Sequence, residues 1–110
     1  AEVIIADVQS EAAGAVAARL NGHAIACDLS DPAAPANLIE AAWAWKGKLD
    51  FVCANAGTGV RNPVLKENFG PATERVFAVN MRAPILMAQA YAAKLEAAGT
   101  RGRLMITSSE

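Results

Sequence analysis

Four short apolar runs, "EVIIADV", "HAIACD", "LDFVCA" and "RLMITSS", recur along this chain with a helix-length stretch between each and the next. Their Ile, Val and Leu predict strands, because branched side chains suit a pleated surface and lose freedom in a helix. The intervening stretches carry the other period. From Glu11 to Leu20, Ala13, Val16, Ala17 and Leu20 fall at helical spacing, with Ser10 placed as an N-cap and Asn21-Gly22 as a left-handed exit. Asp31-Pro32 marks a second helix start; its buried stripe is Leu38, Ile39, Ala42 and Trp43, and Gly47 stops it. Trp43 and Trp45 lie two apart, so one packs while the other covers a rim. After Gly70-Pro71 a long helix runs to Gly99. "LDFVCA" is apolar on both faces, as a strand covered by helices on either side would be. Strand and helix in alternation predict right-handed crossovers and an α/β fold, a doubly wound parallel sheet in three α/β/α layers, with residues 1–110 forming part of one domain.

Charge narrows the partners. The 10 Lys and Arg against 11 Asp and Glu are mixed along the chain, giving a net charge of −1 and no basic stripe for nucleic acid or polybasic anchor for a membrane. No apolar run approaches a membrane span and no leader opens the chain, so a cytoplasmic location is expected. Cys27 and Cys53 lack the spacing of a metal site or redox pair and read as buried free thiols. His23 stands alone, and no metal is implied.

Ligands on doubly wound sheets collect at the carboxyl ends of the strands, and the unusual residues fall there. Asp7 ends the first run, where a carboxylate either starts the turn toward Ser10 or accepts both hydroxyls of an adenosine ribose. Neither Val8 nor Gln9 supplies a cation for a phosphate on that ribose, which favours NAD over NADP. Asp28 follows "AIAC"; its carboxylate either serves the coming helix or accepts the exocyclic amine of adenine while the Leu29 amide meets the ring. In "FVCANAGTGVR", Ala56 and Gly57 strip away side-chain bulk so that a flat ring or sugar can approach the main chain, and Asn55 can lock either turn or ligand. "GTG" is no dinucleotide fingerprint, since no helix with a third glycine follows.

In order and spacing, "ADV", "CDLSDP", "GKLDFVCANAG", "VFAVN" and "MITSSE" together resemble the short-chain dehydrogenase/reductase family over essentially the whole chain. The resemblance implies the central part of an NAD(P)-binding Rossmann fold, strands two to five of the family with their helices. It gives Asp7 to the ribose diol, Asp28 to the adenine, and Asn55, Ala56 and Gly57 to the "N-A-G" motif, where Ala54 replaces the family's usual Asn. Asn80 matches the helix asparagine that helps hold a water in the proton relay, and a polar amide within the stripe of Val76, Val79 and Leu86 would need such a partner. Ser109 matches the serine that orients the substrate oxygen. The implied function is an NAD-dependent oxidoreductase moving hydride between nicotinamide and a secondary alcohol or ketone, working as a homodimer or homotetramer through the long helix.

The family's glycine-rich turn with its strand, and its Tyr-x-x-x-Lys pair, are absent from these 110 residues. "YAAK", Tyr91 to Lys94, has the wrong spacing and precedes the serine, so a surface or subunit contact is expected of it. By the same resemblance the family's first strand lies between the strands ending at Asp7 and Ala54; without it these would stand about 10 Å apart with unpaired edges. The chain alone is therefore expected to be an internal piece without turnover. Two alternatives are a non-catalytic dinucleotide-binding or oligomerising module of the same fold and a methyltransferase-like domain, which explains neither "NAG" nor Asn80 with Ser109. Val60, Arg61 and Leu65 are candidate walls of the substrate pocket.

Overall fold

A computed structural model describes residues 1–60 and 70–108 of the chain. The order is β1 (Ile4–Asp7), α1 (Ser10–Arg19), β2 (His23–Ala26), α2 (Ala34–Lys46), β3 (Phe51–Ala54), α3 (Pro71–Phe77), a π-helical segment (Ala78–Arg82), α4 (Ala83–Ala98) and β4 (Arg103–Ile106). The expected alternation is present, and the long helix starts at Pro71 and stops at Gly99. Asn21, Gly47 and Gly99 each take a positive φ where a helix must turn back, as their positions predict.

Helix starts differ from expectation. Ser10 is already helical, Gln9 is the capping position, and no side chain caps α1. The reason lies upstream: Asp7 Oδ1 accepts the Gln9 N–H at 2.8 Å, so the aspartate shapes the approach that Ser10 was expected to shape. Likewise α2 begins at Ala34 rather than beside Asp31, whose Oδ1 accepts the Ala33 N–H at 2.9 Å, with a proline in the first turn of the helix.

The strands form two parallel pairs. In one, Ile4 to Asp7 run opposite His23 to Ala26; in the other, Phe51 to Ala54 run opposite Arg103 to Ile106. β1 and β3 do not pair, in keeping with the separation implied for them. A hollow of about 620 Å³ lies between them, bordered by Ile4 and Ala6 on one side and Phe51 to Cys53 on the other, over Leu38, Ile39 and Met87.

The core sits under one face. Leu38 and Ile39 of α2, Val52 and Ala54 of β3, and Met87 and Tyr91 of α4 form it, with Ala6, Ile25 and Leu104 against its edge. Full burial of a Leu or Ile contributes about 1.5–3 kcal/mol, so α2 and α4 supply much of the apolar stabilisation. α1 packs on β1 and β2 instead, burying Ala13 and Ala17, while Val16 and Leu20 stay exposed. Trp43 joins the core and Trp45 stacks on His23 at 5.3 Å, dividing the tryptophans as their spacing predicts.

Three expectations fail on burial. β3 is not covered on both faces: Val52 is 7% exposed but Phe51 49%. Cys53 shares the open face with Phe51 and is exposed, and Cys27 is only partly buried, so neither is the enclosed thiol expected. Tyr91 is 2% exposed and donates its hydroxyl to the Leu49 carbonyl at 2.6 Å, making it a core anchor and not a surface contact. Lys94 bridges to Glu40 of α2 at 2.6 Å.

Candidate functional site

The two ladders end at one rim. The Cys27 N–H donates to the Asp7 carbonyl at 3.1 Å, and the Thr107 N–H to the Ala54 carbonyl at 3.1 Å, so each pair of strands releases its chains together. Residue type then decides how each turn is built. After β1, Asp7 folds its carboxylate back on Gln9 through Oδ1, leaving Oδ2 without a hydrogen bond to any described residue. After β2, Asp28 Oδ1 accepts both the Ser30 N–H at 3.0 Å and the Ser30 hydroxyl at 2.7 Å. These are Asx turns, which a short carboxylate forms without distant help.

Beyond β3, distant partners do the work. Thr107 donates its hydroxyl to Asn55 Oδ1 at 2.8 Å, joining the ends of β4 and β3. Asn80 brackets the peptide at Thr58: its Oδ1 accepts the Thr58 N–H at 2.9 Å and its Nδ2 donates to the Thr58 carbonyl at 2.8 Å. Asn80 sits within the π-helical segment, a wider turn frequently found at functional sites. This corrects the expected picture of a buried amide needing a water: Asn80 is exposed, and its amide is occupied on both sides by main chain.

A hollow of about 140 Å³ at this rim is lined by Asp7, Leu29, Asn55 and Ala56, with Val79, Pro84 and Met87 behind. Four residues singled out in the sequence thus converge. Asp28 lies next to Leu29 and outside the lining, tied to α3 by Arg75. Among the described residues, a Cβ on Gly57 would meet only Asn80 Oδ1, at 3.7 Å, an ordinary contact, so no described neighbour demands glycine there. Ser109, Arg61 and Leu65 lie outside the described residues, Ser108 is exposed at the end of β4, and Val60 is exposed.

The partners Thr58, Thr107, Ser30, Arg75 and Arg82 were missed in the sequence. Only the arginines left a signal, being seven residues apart and so two turns along one helix face. Arg75 Nη1 donates to Ser30 Oγ at 2.8 Å and approaches Asp28 Oδ2 at 3.4 Å, while Arg82 Nη2 donates to the Ser30 carbonyl at 2.9 Å.

The titrating groups divide by place. The Ser30 hydroxyl, then its N–H and Arg75, hold the Asp28 carboxyl below its ordinary range, keeping an acceptor at the rim. Burial pushes the Cys27 thiol up, with Asp28 and Asp31 adding to it, which disfavours the nucleophilic thiolate. Burial also pushes the Tyr91 phenol up, and its hydroxyl faces the Leu49 carbonyl on β3's leading side, away from the rim. Tyr91 is therefore structural.

Parallel strands alternating with helices, with their carboxyl ends gathered at one rim, are part of a Rossmann-type α/β fold. The family model described as short chain dehydrogenase matches residues 1–110, and the chain belongs to that family. It is 35% identical to 1-deoxy-11-beta-hydroxypentalenate dehydrogenase of Streptomyces exfoliatus, over 99% of this chain and 42% of that protein. It is 33% identical to momilactone A synthase of Oryza sativa subsp. japonica, over 99% of this chain and 41% of that protein. The chain thus spans about two-fifths of the curated relatives it matches. Among solved structures, a metagenomic short-chain oxidoreductase in complex with NADP superposes with TM-score 0.85 at 31% identity, over 99% of this chain and 51% of that one. A short chain dehydrogenase of Burkholderia cenocepacia in complex with NADP gives TM-score 0.85 at 27% identity, over 98% of this chain and 45% of that one. Among the described residues, no helix is long and apolar enough to cross a membrane.

Proposed function

We propose that this chain forms the adenosine-binding and loop-bracing part of an oxidoreductase that moves hydride between a nicotinamide dinucleotide and a secondary alcohol or ketone. The observation that carries the reading is the convergence of Asp7, Leu29, Asn55 and Ala56 on one hollow at the strand ends. When bound, the nicotinamide accepts or donates the hydride; the protein binds, orients and excludes water. Asp7, with Oδ2 free of described partners, would take the ribose hydroxyls, and Asp28 with the Leu29 amide would take the adenine edge. Ala56 and Gly57 let the cofactor lie against bare main chain. Asn80 steadies that turn by its bracket on Thr58, and Ser109 would hold the substrate oxygen by one hydrogen bond.

Cofactor preference divides the support. The carboxylate of Asp7 and the lack of a cation at Val8 or Gln9 favour NAD, while the NADP-bound structural neighbours favour a phosphorylated ribose. We assign NAD on the chemistry of the residues themselves. The long helix, with Phe77, Met81 and Ile85 about half exposed, is the face through which we expect a homodimer or homotetramer. Titrating the full-length protein with NADH and NADPH tests the reading directly. Tighter NADH binding supports the role given to Asp7; tighter NADPH binding overturns that role, and binding of neither overturns the dinucleotide function.

A further inference from the structure

Asp28 makes its turn locally, yet the turn is also gripped from far along the chain. Arg75 donates to the Ser30 hydroxyl and Arg82 to the Ser30 carbonyl, at 2.8 and 2.9 Å, so both sides of Ser30 are held from one stretch of helix. The hydroxyl passes the bond on to Asp28 Oδ1 at 2.7 Å, and that oxygen also takes the Ser30 N–H, which fills its two lone pairs. Among the described residues, Asp28 Oδ2 has only the long 3.4 Å approach of Arg75, and so keeps one acceptor position toward them. The grip adds little to stability, because the Arg75 and Asp28 side chains are 46% and 45% exposed and exposed ion pairs are weak. Its consequence is geometric: the chain from Arg75 through Ser30 to Asp28 fixes which carboxylate oxygen is spent and which is left.

We propose that Arg75 and Arg82 are positioning residues that hold the Asp28–Ser30 turn with one Asp28 oxygen presented to the 6-amino group of a purine, and so set selectivity for a 6-amino over a 6-oxo base. The proposal rests on the dinucleotide function proposed above. A 6-amino group donates to the waiting carboxylate oxygen. A 6-oxo group places a second acceptor against it and is rejected, as an unpaired buried or facing acceptor would be. Without the arginines the Ser30 hydroxyl is free to rotate and the carboxylate to turn, and the distinction between the bases fades.

The test compares NADH with reduced nicotinamide hypoxanthine dinucleotide, which carries the 6-oxo base, by calorimetric titration of the full-length protein. Wild type is expected to prefer the adenine form about tenfold or more, the usual range for one charge-assisted hydrogen bond. Arg75→Ala and Arg82→Ala should each cut that preference to about threefold or less, with hypoxanthine binding changed less than about twofold. Arg75→Lys should retain the preference, because one ammonium can replace the single nitrogen that Arg75 uses, and it guards against an alanine variant that fails to fold. The proposal is overturned if the arginine variants weaken both forms equally, if they change neither, if the lysine variant behaves as the alanine one, or if wild type binds both forms alike. Failure of wild type to bind either form would instead overturn the dinucleotide function itself.

Discussion

The β1–β2 pair and the β3–β4 pair have ladders of the same length and direction, but their rims are built by different means. At the first, each aspartate bonds an amide two residues ahead of it, so the turn forms from its own sequence, and Arg75 and Arg82 only brace the second of the two turns from afar. At the second, Asn55 waits for Thr107, 52 positions on, and Thr58 for Asn80, 22 positions on. A rim made locally exists as soon as its strand ends; a rim made from afar exists only when the long helix and last strand have docked. In the proposed function the first holds the adenosine and the second faces the reacting groups.

The comparison breaks most sharply at Tyr91. Its ring fills the core and its hydroxyl ties α4 to Leu49, just before β3, while a side chain on Gly102, just before β4, would collide with that hydroxyl. Tyr91→Ala is expected to cost about 3–5 kcal/mol of stability, and Tyr91→Phe, which loses only the bond, about 1 kcal/mol. Denaturant unfolding measures both. In the Tyr91→Ala variant, hydrogen exchange should show the β3–β4 amides losing more protection than those of β1–β2; equal loss would mean that the two pairs behave as one unit.

Next in size is Asp7, on the self-made side. Asp7→Ala is expected to remove a preference for NADH over NADPH of about tenfold, leaving the two within about threefold. Parallel titrations read this. A preference left intact would move the selectivity to residues outside this turn and leave the first rim with a structural aspartate only.

Asn80→Ala sharpens the contrast by sparing stability. Its two bonds are exposed, so unfolding should change by less than about 1 kcal/mol. The Thr58 amide should nevertheless lose its exchange protection, and dinucleotide affinity should fall about three- to tenfold as the turn after Gly57 loosens. Unaltered protection at Thr58 would show that the bracket is not what holds this loop.

The pattern of what was legible obeys the same division. Strand order, helix stops at Gly47 and Gly99, the apolar stripe at Leu38, Ile39 and Ala42, and both rim aspartates could be read because local sequence decides them. The Asn80 bracket, the Arg75 and Arg82 grips and the burial of Tyr91 could not. Each joins residues more than twenty positions apart, and no spacing rule reports such partners. Cys53 failed for a related reason: strand alternation gives its face, but whether that face is covered depends on what packs there.

The smallest expected effect is a pH dependence confined to the first rim. The folded state holds the Asp28 carboxyl below its ordinary range, chiefly through the Ser30 hydroxyl, then the Ser30 N–H and Arg75. The unfolded chain, with an ordinary aspartate near pKa 3.9, therefore binds more protons in that window, and stability rises with pH through it. The contribution is complete above about pH 4 and is lost as pH falls through the lower folded value. Asp28→Asn should flatten this acid limb slightly, and Ser30→Ala should remove part of it while keeping the backbone bond. Amide exchange gives the sharper reading, because the Ser30 N–H is held by a titrating carboxylate and the Thr58 N–H by an amide that does not titrate. Acidification should release Ser30 while Thr58 stays protected. Simultaneous release would show that acid opens both rims together, and that the locally made turn has no stability of its own.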